Sequence, residues 1–145
     1  MGHPNLIETE AELEAIVRAA KTVAVVGMKD EREPHLPSYE IPRVVESHGL
    51  RVIPVNPHIE KSLGQKAFPS LAAVKEQVDI VDVFRRIDAI PQLAEDVLAL
   101  PGAQRPKVVW LQSGIRHDAA AQKLAAAGIQ VVQDRCLGVY TARYR

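Results

Sequence analysis

Apolar residues gather in five short runs, at residues 22–26, 51–55, 80–84, 107–111 and 130–133. Their length and β-branched content predict strands. TVAVV, RVIPV and KVVWL are near-continuous rather than alternating, the pattern of strands covered on both faces of a parallel sheet. Segments of helical period lie between them. Residues 8–20 place Leu13, Ile16 and Val17 on one face, with Thr9 as N-cap. Residues 38–48 place Ile41, Val44 and Val45 together, and Pro42 pins that helix start near Ser38 or Tyr39. A short helix is expected over 70–77. Residues 88–99 carry Ile90, Leu93, Val97 and Leu98, with Pro91 in the first turn. The alanine-rich stretch 116–127 ends at Gly128, as the second helix ends at Gly49. Residues 137–145 show no pattern and are expected to be partly mobile.

Strands and helices therefore alternate. The expected fold is α/β, a Rossmann-like doubly wound sheet of five parallel strands with helices on both faces. At 145 residues, the chain reads as a single domain, residues 1–145. The two segments that read most clearly as loops are 29–37 and 57–66.

Bulk properties narrow the function. Lysine plus arginine and aspartate plus glutamate both total 18, so net charge suggests no nucleic-acid partner. Aromatics at 4% supply few base-stacking surfaces. No apolar run approaches the roughly 20 residues of a membrane span, and the polar N-terminus does not read as a signal peptide. The lone Cys136 excludes an internal disulfide and a cysteine-based zinc cluster. A reducing, cytoplasmic setting is expected.

In an open parallel sheet, ligands bind at the carboxyl ends of the strands near a topological switch point. That rule selects the residues after each run. Gly27 permits a tight turn and close approach of a phosphate to backbone N–H groups. It reads equally as a plain strand-to-loop glycine, because Met28, Lys29, Asp30, Glu31 and Arg32 follow it rather than a full G-x-G-x-x-G. After the second strand come Asn56 and Pro57, then His58 and Lys61. An NAD site usually offers a carboxylate here, so a neutral and then cationic end suits an extra phosphate better. Solvated charges after a proline-ended strand are the plainer explanation. Arg85 and Arg86 follow the third strand. One can fork onto a phosphate, and the other is expected to pair with Asp82 or Asp88. Gln112, Ser113 and Gly114 follow the fourth, and capping of the next helix is the favoured role for Ser113. Cys136 needs a neighbouring base to act as a nucleophile, and packing is its more ordinary role. The five histidines show no metal spacing, and no catalytic triad order is visible. The residues point to binding more than to catalysis.

Several segments then resemble one family in order: VAVVG (23–27), PSY (37–39), HGLRVIPVNP (48–57), VDIVDVFRR (78–86), VVWLQSGI (108–115) and AAAGIQVVQDRC (125–136). The chain resembles the stand-alone CoA-binding domain proteins, similar to the N-terminal CoA-binding domain of the succinyl-CoA synthetase α subunit. The resemblance implies coenzyme A or an acyl-CoA lying across the strand ends, with no ligase activity carried over. It implies that Gly27, Met28, Lys29 and Ser38 meet phosphate. Val55, Asn56 and Pro57, with His58 and Lys61, would meet the 3′-phosphorylated ADP portion. Val83, Phe84 and Arg85 would line the adenine and diphosphate. Gln112, Ser113 and Gly114 would flank the pantetheine. Met28 and Lys29 stand where a small residue and a hydroxyl are common, and His58 where lysine is common. The implied role is a carrier, sensor or regulatory module. An NADP-linked oxidoreductase on the same fold is the alternative. A protein partner or a homodimer stays open, with Tyr140 and Tyr144 as the expected apolar patch.

Overall fold

The computed structural model describes residues 2–145. Five parallel strands form the main sheet: β1 (Thr22–Val26), β2 (Arg51–Val55), β5 (Ile80–Val83), β6 (Val108–Leu111) and β7 (Gln130–Val132). Their order is β2-β1-β5-β6-β7. The order reverses between β1 and β5, so the switch point lies at the carboxyl ends of those two strands.

Strand residues alternate between two cores because successive side chains leave opposite faces of a strand. Val23 and Val25 face one core, while Ala24 and Val26 face the other. The first core is covered by α1 (Glu10–Ala19), α2 (Pro37–Ser47) and α5 (Leu137–Tyr144). The second is covered by α3 (Ile90–Leu98) and α4 (Asp118–Ala126). Double coverage explains why the strands lack a polar face.

Helix boundaries follow local chemistry. Thr9 caps α1 in a capping box with Glu12. In α2 the expected limit imposed by Pro42 is exceeded, since the helix starts at Pro37 and Pro42 lies past the first turn. Pro42 has no N–H to give the Ser38 carbonyl four residues back. That carbonyl instead accepts the backbone N–H of Lys29 at 3.1 Å.

Four further expectations fail. Residues 70–77 form only a 3-10 turn at Leu71–Ala73. Leu71, Val74 and Val78 are buried, but Lys75, Glu76 and Gln77 are exposed and complete no apolar face. Within the expected loop 57–66, a small antiparallel hairpin forms from β3 (Lys61–Ser62) and β4 (Gln65–Lys66). The tail is the helix α5. Leu137, Gly138, Tyr140 and Thr141 are buried, and the Arg145 guanidinium donates to the carbonyls of Val17, Arg18, Ala20 and His48. It thereby ties α5 to the C-terminal ends of α1 and α2. Nor do Tyr140 and Tyr144 form an exposed apolar patch. Tyr140 is buried, and both hydroxyls bond Glu10.

Candidate functional site

A cleft of about 710 Å³ opens at the switch point. Its lining includes Gly27, Lys29, Ser38, Val55, Asn56, Pro57, His58, Phe84 and Arg85. Nine of the residues singled out in the sequence thus come together from β1, α2, β2 and β5. Pro69, Leu71, Ala89 and Leu93 add apolar wall, and Arg86, Asp88 and Asp96 add charge. Pro69 and Leu71 carry no recognisable site signal in the sequence, and Leu93 reads only as part of a helix's apolar face. They reach the cleft through the 3-10 turn and α3. A second cleft of about 630 Å³ lies at the β7 edge and contains none of the predicted residues.

Gly27 is required by the tight turn expected of it. Its φ is +86°, and a Cβ there would lie 2.3 Å from the Phe84 carbonyl oxygen. Only glycine lets β1 turn this close to β5. Two of the turn's amides are occupied by backbone. The Gly27 N–H donates to the Val55 carbonyl at 2.9 Å, and the Lys29 N–H to Ser38. Ser38 brings the N-terminal turn of α2 to the cleft, where its dipole favours an anion.

The charges divide clearly. Arg86 is held by Asp88 at 2.9 Å, the pairing expected for one of the two arginines. The same ion pair and hydrogen bond hold the Asp88 carboxyl below its ordinary range, with a smaller contribution from Arg85. Among the described residues, Lys29 and Arg85 make no salt bridge. Both line the cleft as available cations.

Asn56 is buried, and both ends of its side chain are engaged. Its Nδ2 donates to the Met28 carbonyl at 2.8 Å, and its Oδ1 accepts the His58 N–H at 2.8 Å. The Met28 side chain is fully buried in the core. Val83 is fully buried too, and Lys61 lies on β3 beside a shallower hollow with Asp30 and Glu60.

The fourth predicted group, Gln112, Ser113 and Gly114, stands apart from the cleft. Gln112 is buried; its Nε2 donates to Asp82 at 3.3 Å and its Oε1 accepts the Leu137 N–H at 3.2 Å. Ser113 is exposed and caps no helix. His117 caps α4 instead, accepting the Ala120 N–H at 3.1 Å. The Gly114 N–H donates to Asp134 at 2.6 Å. Cys136 is half-buried at the N-cap of α5. Sequence reasoning missed Asp82 as a distinctive group. It is fully buried with Oδ1 unpartnered. Burial pushes its carboxyl well above the ordinary range, against the smaller opposing effects of the Gln112 bond and the Val83 backbone.

A glycine-pinned turn, a cationic cleft and a 2-1-5-6-7 parallel sheet now stand together. Residues 21–142 match the family described as CoA binding domain. The chain belongs to the CoA-binding domain family. A relative in Bacillus subtilis (strain 168), the uncharacterized protein YneT, is 36% identical over 131 residues, covering 90% of this chain and 93% of that protein. The solved structure of cell-free ID.343 from Thermus thermophilus is 43% identical, with a TM-score of 0.85 over 95% of this chain and 100% of that one. A hypothetical protein from Pyrococcus horikoshii OT3 is 26% identical, with a TM-score of 0.83 over 99% of this chain and 96% of that one. This chain thus covers nearly the full length of each of these relatives.

Proposed function

We propose that the cleft between the ends of β1, β2 and β5 binds coenzyme A or an acyl-CoA, without catalysing a reaction, as a carrier, sensor or regulatory module. The observation that carries this reading is the pair of cations without salt bridges, Lys29 and Arg85, facing one cleft with Ser38 and His58. A ligand with several phosphates satisfies both at once, and the apolar wall of Pro69, Leu71 and Leu93 suits a base. Gly27, Asn56 and Pro57 shape the cleft around it. The pantetheine would leave this cleft toward Gln112, Ser113 and Gly114. There the Gln112 side chain is already engaged, so any contact falls to the exposed Ser113 and the backbone.

An NADP-linked oxidoreductase is the second reading. His58 and Lys61 at the β2 end favour it, since a cation there suits a 2′-phosphate. Parallel calorimetric titrations with CoA and NADP at low salt separate the two. CoA, acetyl-CoA or palmitoyl-CoA is expected to bind and raise the melting temperature. Ligand at 100 times Kd stabilises by about 2.7 kcal/mol, a shift of several degrees in a domain of this size. No shift with any of the three at millimolar concentration contradicts the proposal, and tighter binding of NADP supports the alternative.

A further inference from the structure

We propose that Asn56 and Ser62 are positioning residues that lock the two ligand-facing loops into one rigid frame before any ligand arrives; the role rests on the CoA reading above. The loop after β1 carries Lys29, and the segment after β2 carries His58. They are about thirty residues apart in sequence, yet three groups from the β2 side reach across to the β1 loop. Asn56 Nδ2 donates to the Met28 carbonyl at 2.8 Å. Ser62 Oγ donates to the Lys29 carbonyl at 2.7 Å. The Leu63 N–H donates to the Glu31 carboxylate at 2.9 Å, which also accepts the Tyr39 hydroxyl at 3.3 Å.

Consecutive carbonyls of the β1 loop, those of Met28 and Lys29, are therefore each held by a buried side chain. The Lys29 N–H is held in turn by the Ser38 carbonyl that Pro42 leaves free. Lys29 is thus fixed on both sides of its Cα, by α2 and by the hairpin, while its ammonium stays available. Ser62 is fully buried and does not line the cleft. Each polar atom of the Asn56 side chain and the Ser62 hydroxyl is already bonded to backbone, so their effect on binding is carried chiefly through Lys29 and His58. The short hairpin β3–β4, which buries little apolar area, thereby gains a purpose. It presents Ser62 and the Leu63 N–H to the loop. Preorganisation of this kind improves affinity by removing the ordering cost from the binding step.

The test compares wild type, Ser62→Ala and Ser62→Thr by calorimetric titration with CoA and by hydrogen exchange of the free and CoA-bound proteins. Ser62→Ala is expected to weaken CoA about three- to tenfold. It should also speed exchange across residues 28–36 in the free protein, with protection restored by CoA. Ser62→Thr, which keeps the hydroxyl, is expected to recover most of the affinity. Wild type that binds CoA while Ser62→Ala binds as tightly overturns the latch and leaves the CoA reading intact. A loss of affinity in Ser62→Ala without faster exchange at 28–36 also overturns the latch. Wild type that does not bind CoA overturns the CoA reading and, with it, the role in binding assigned to the latch.

Discussion

Two regions of the same sheet edge handle polar groups in opposite ways. At the ends of β1, β2 and β5, buried polar side chains hold backbone, and the cations Lys29 and Arg85 are left facing a cleft. At the ends of β6 and β7, Gln112 is turned inward between Asp82 and the first amide of α5, and Asp134 closes over the Gly114 N–H. The first region leaves two cations without salt bridges facing a cleft. The second is built to seat a helix. The rule that ligands bind at strand carboxyl ends marks both, and only the distribution of partners tells them apart.

The largest expected break in this comparison comes from its two glycines. Gly27→Ala combines a positive φ with a Cβ 2.3 Å from the Phe84 carbonyl, a backbone atom that cannot swing aside. We expect a loss of about 2–4 kcal/mol in denaturant unfolding. Gly114 has a similar φ of +82°, but a Cβ there meets nothing within 4 Å. Gly114→Ala should cost only about 1–2 kcal/mol, from backbone conformation alone. Equal losses would show that the tight approach at Gly27 contributes little.

A smaller effect separates the regions by pH. Burial raises the folded-state pKa of Asp82 above its unfolded value. The folded chain therefore keeps a proton that the unfolded chain has released. This group's contribution to stability falls as pH rises from about 4 through the raised pKa, then levels off. Asp82→Asn removes that loss while still offering Gln112 a polar partner. Its melting temperature should match wild type under acid conditions and exceed it by a few degrees at neutral pH, the gap widening between. Thermal unfolding across pH checks this, and a gap that stays constant or reverses contradicts it. CoA affinity is expected to change little, because Asp82 belongs to the helix-seating region.

Much of this was readable in the chain itself. The four β-branched runs preceding the named site residues became strands because each buries both faces, and runs of that kind have few other structural solutions. One of Arg85 and Arg86 is expected to pair with Asp82 or Asp88, and Arg86 meets Asp88 two residues away. Local signals failed where the stabilising group is distant. α5 has no side-chain N-cap, and the contacts of Arg145 with α1 and α2 connect residues about a hundred or more positions apart. The bonds from Asn56 to Met28 and from Ser62 to Lys29 are equally invisible to periodicity. Gly27 was legible as a special position. That a Cβ there would meet the Phe84 carbonyl follows only from the pairing of β1 with β5.

The central claim is that the unpaired cations of the cleft, not its salt-bridged ones, hold the ligand. Calorimetric titration of CoA into wild type, Arg85→Ala and Arg86→Ala tests it most directly. Arg85→Ala is expected to weaken CoA about ten- to a hundredfold and to reduce the dependence of affinity on salt. Arg86→Ala, whose guanidinium is exposed and already bound to Asp88, is expected to stay within about threefold of wild type. Unchanged affinity in Arg85→Ala, or an equal loss in both variants, would contradict the account.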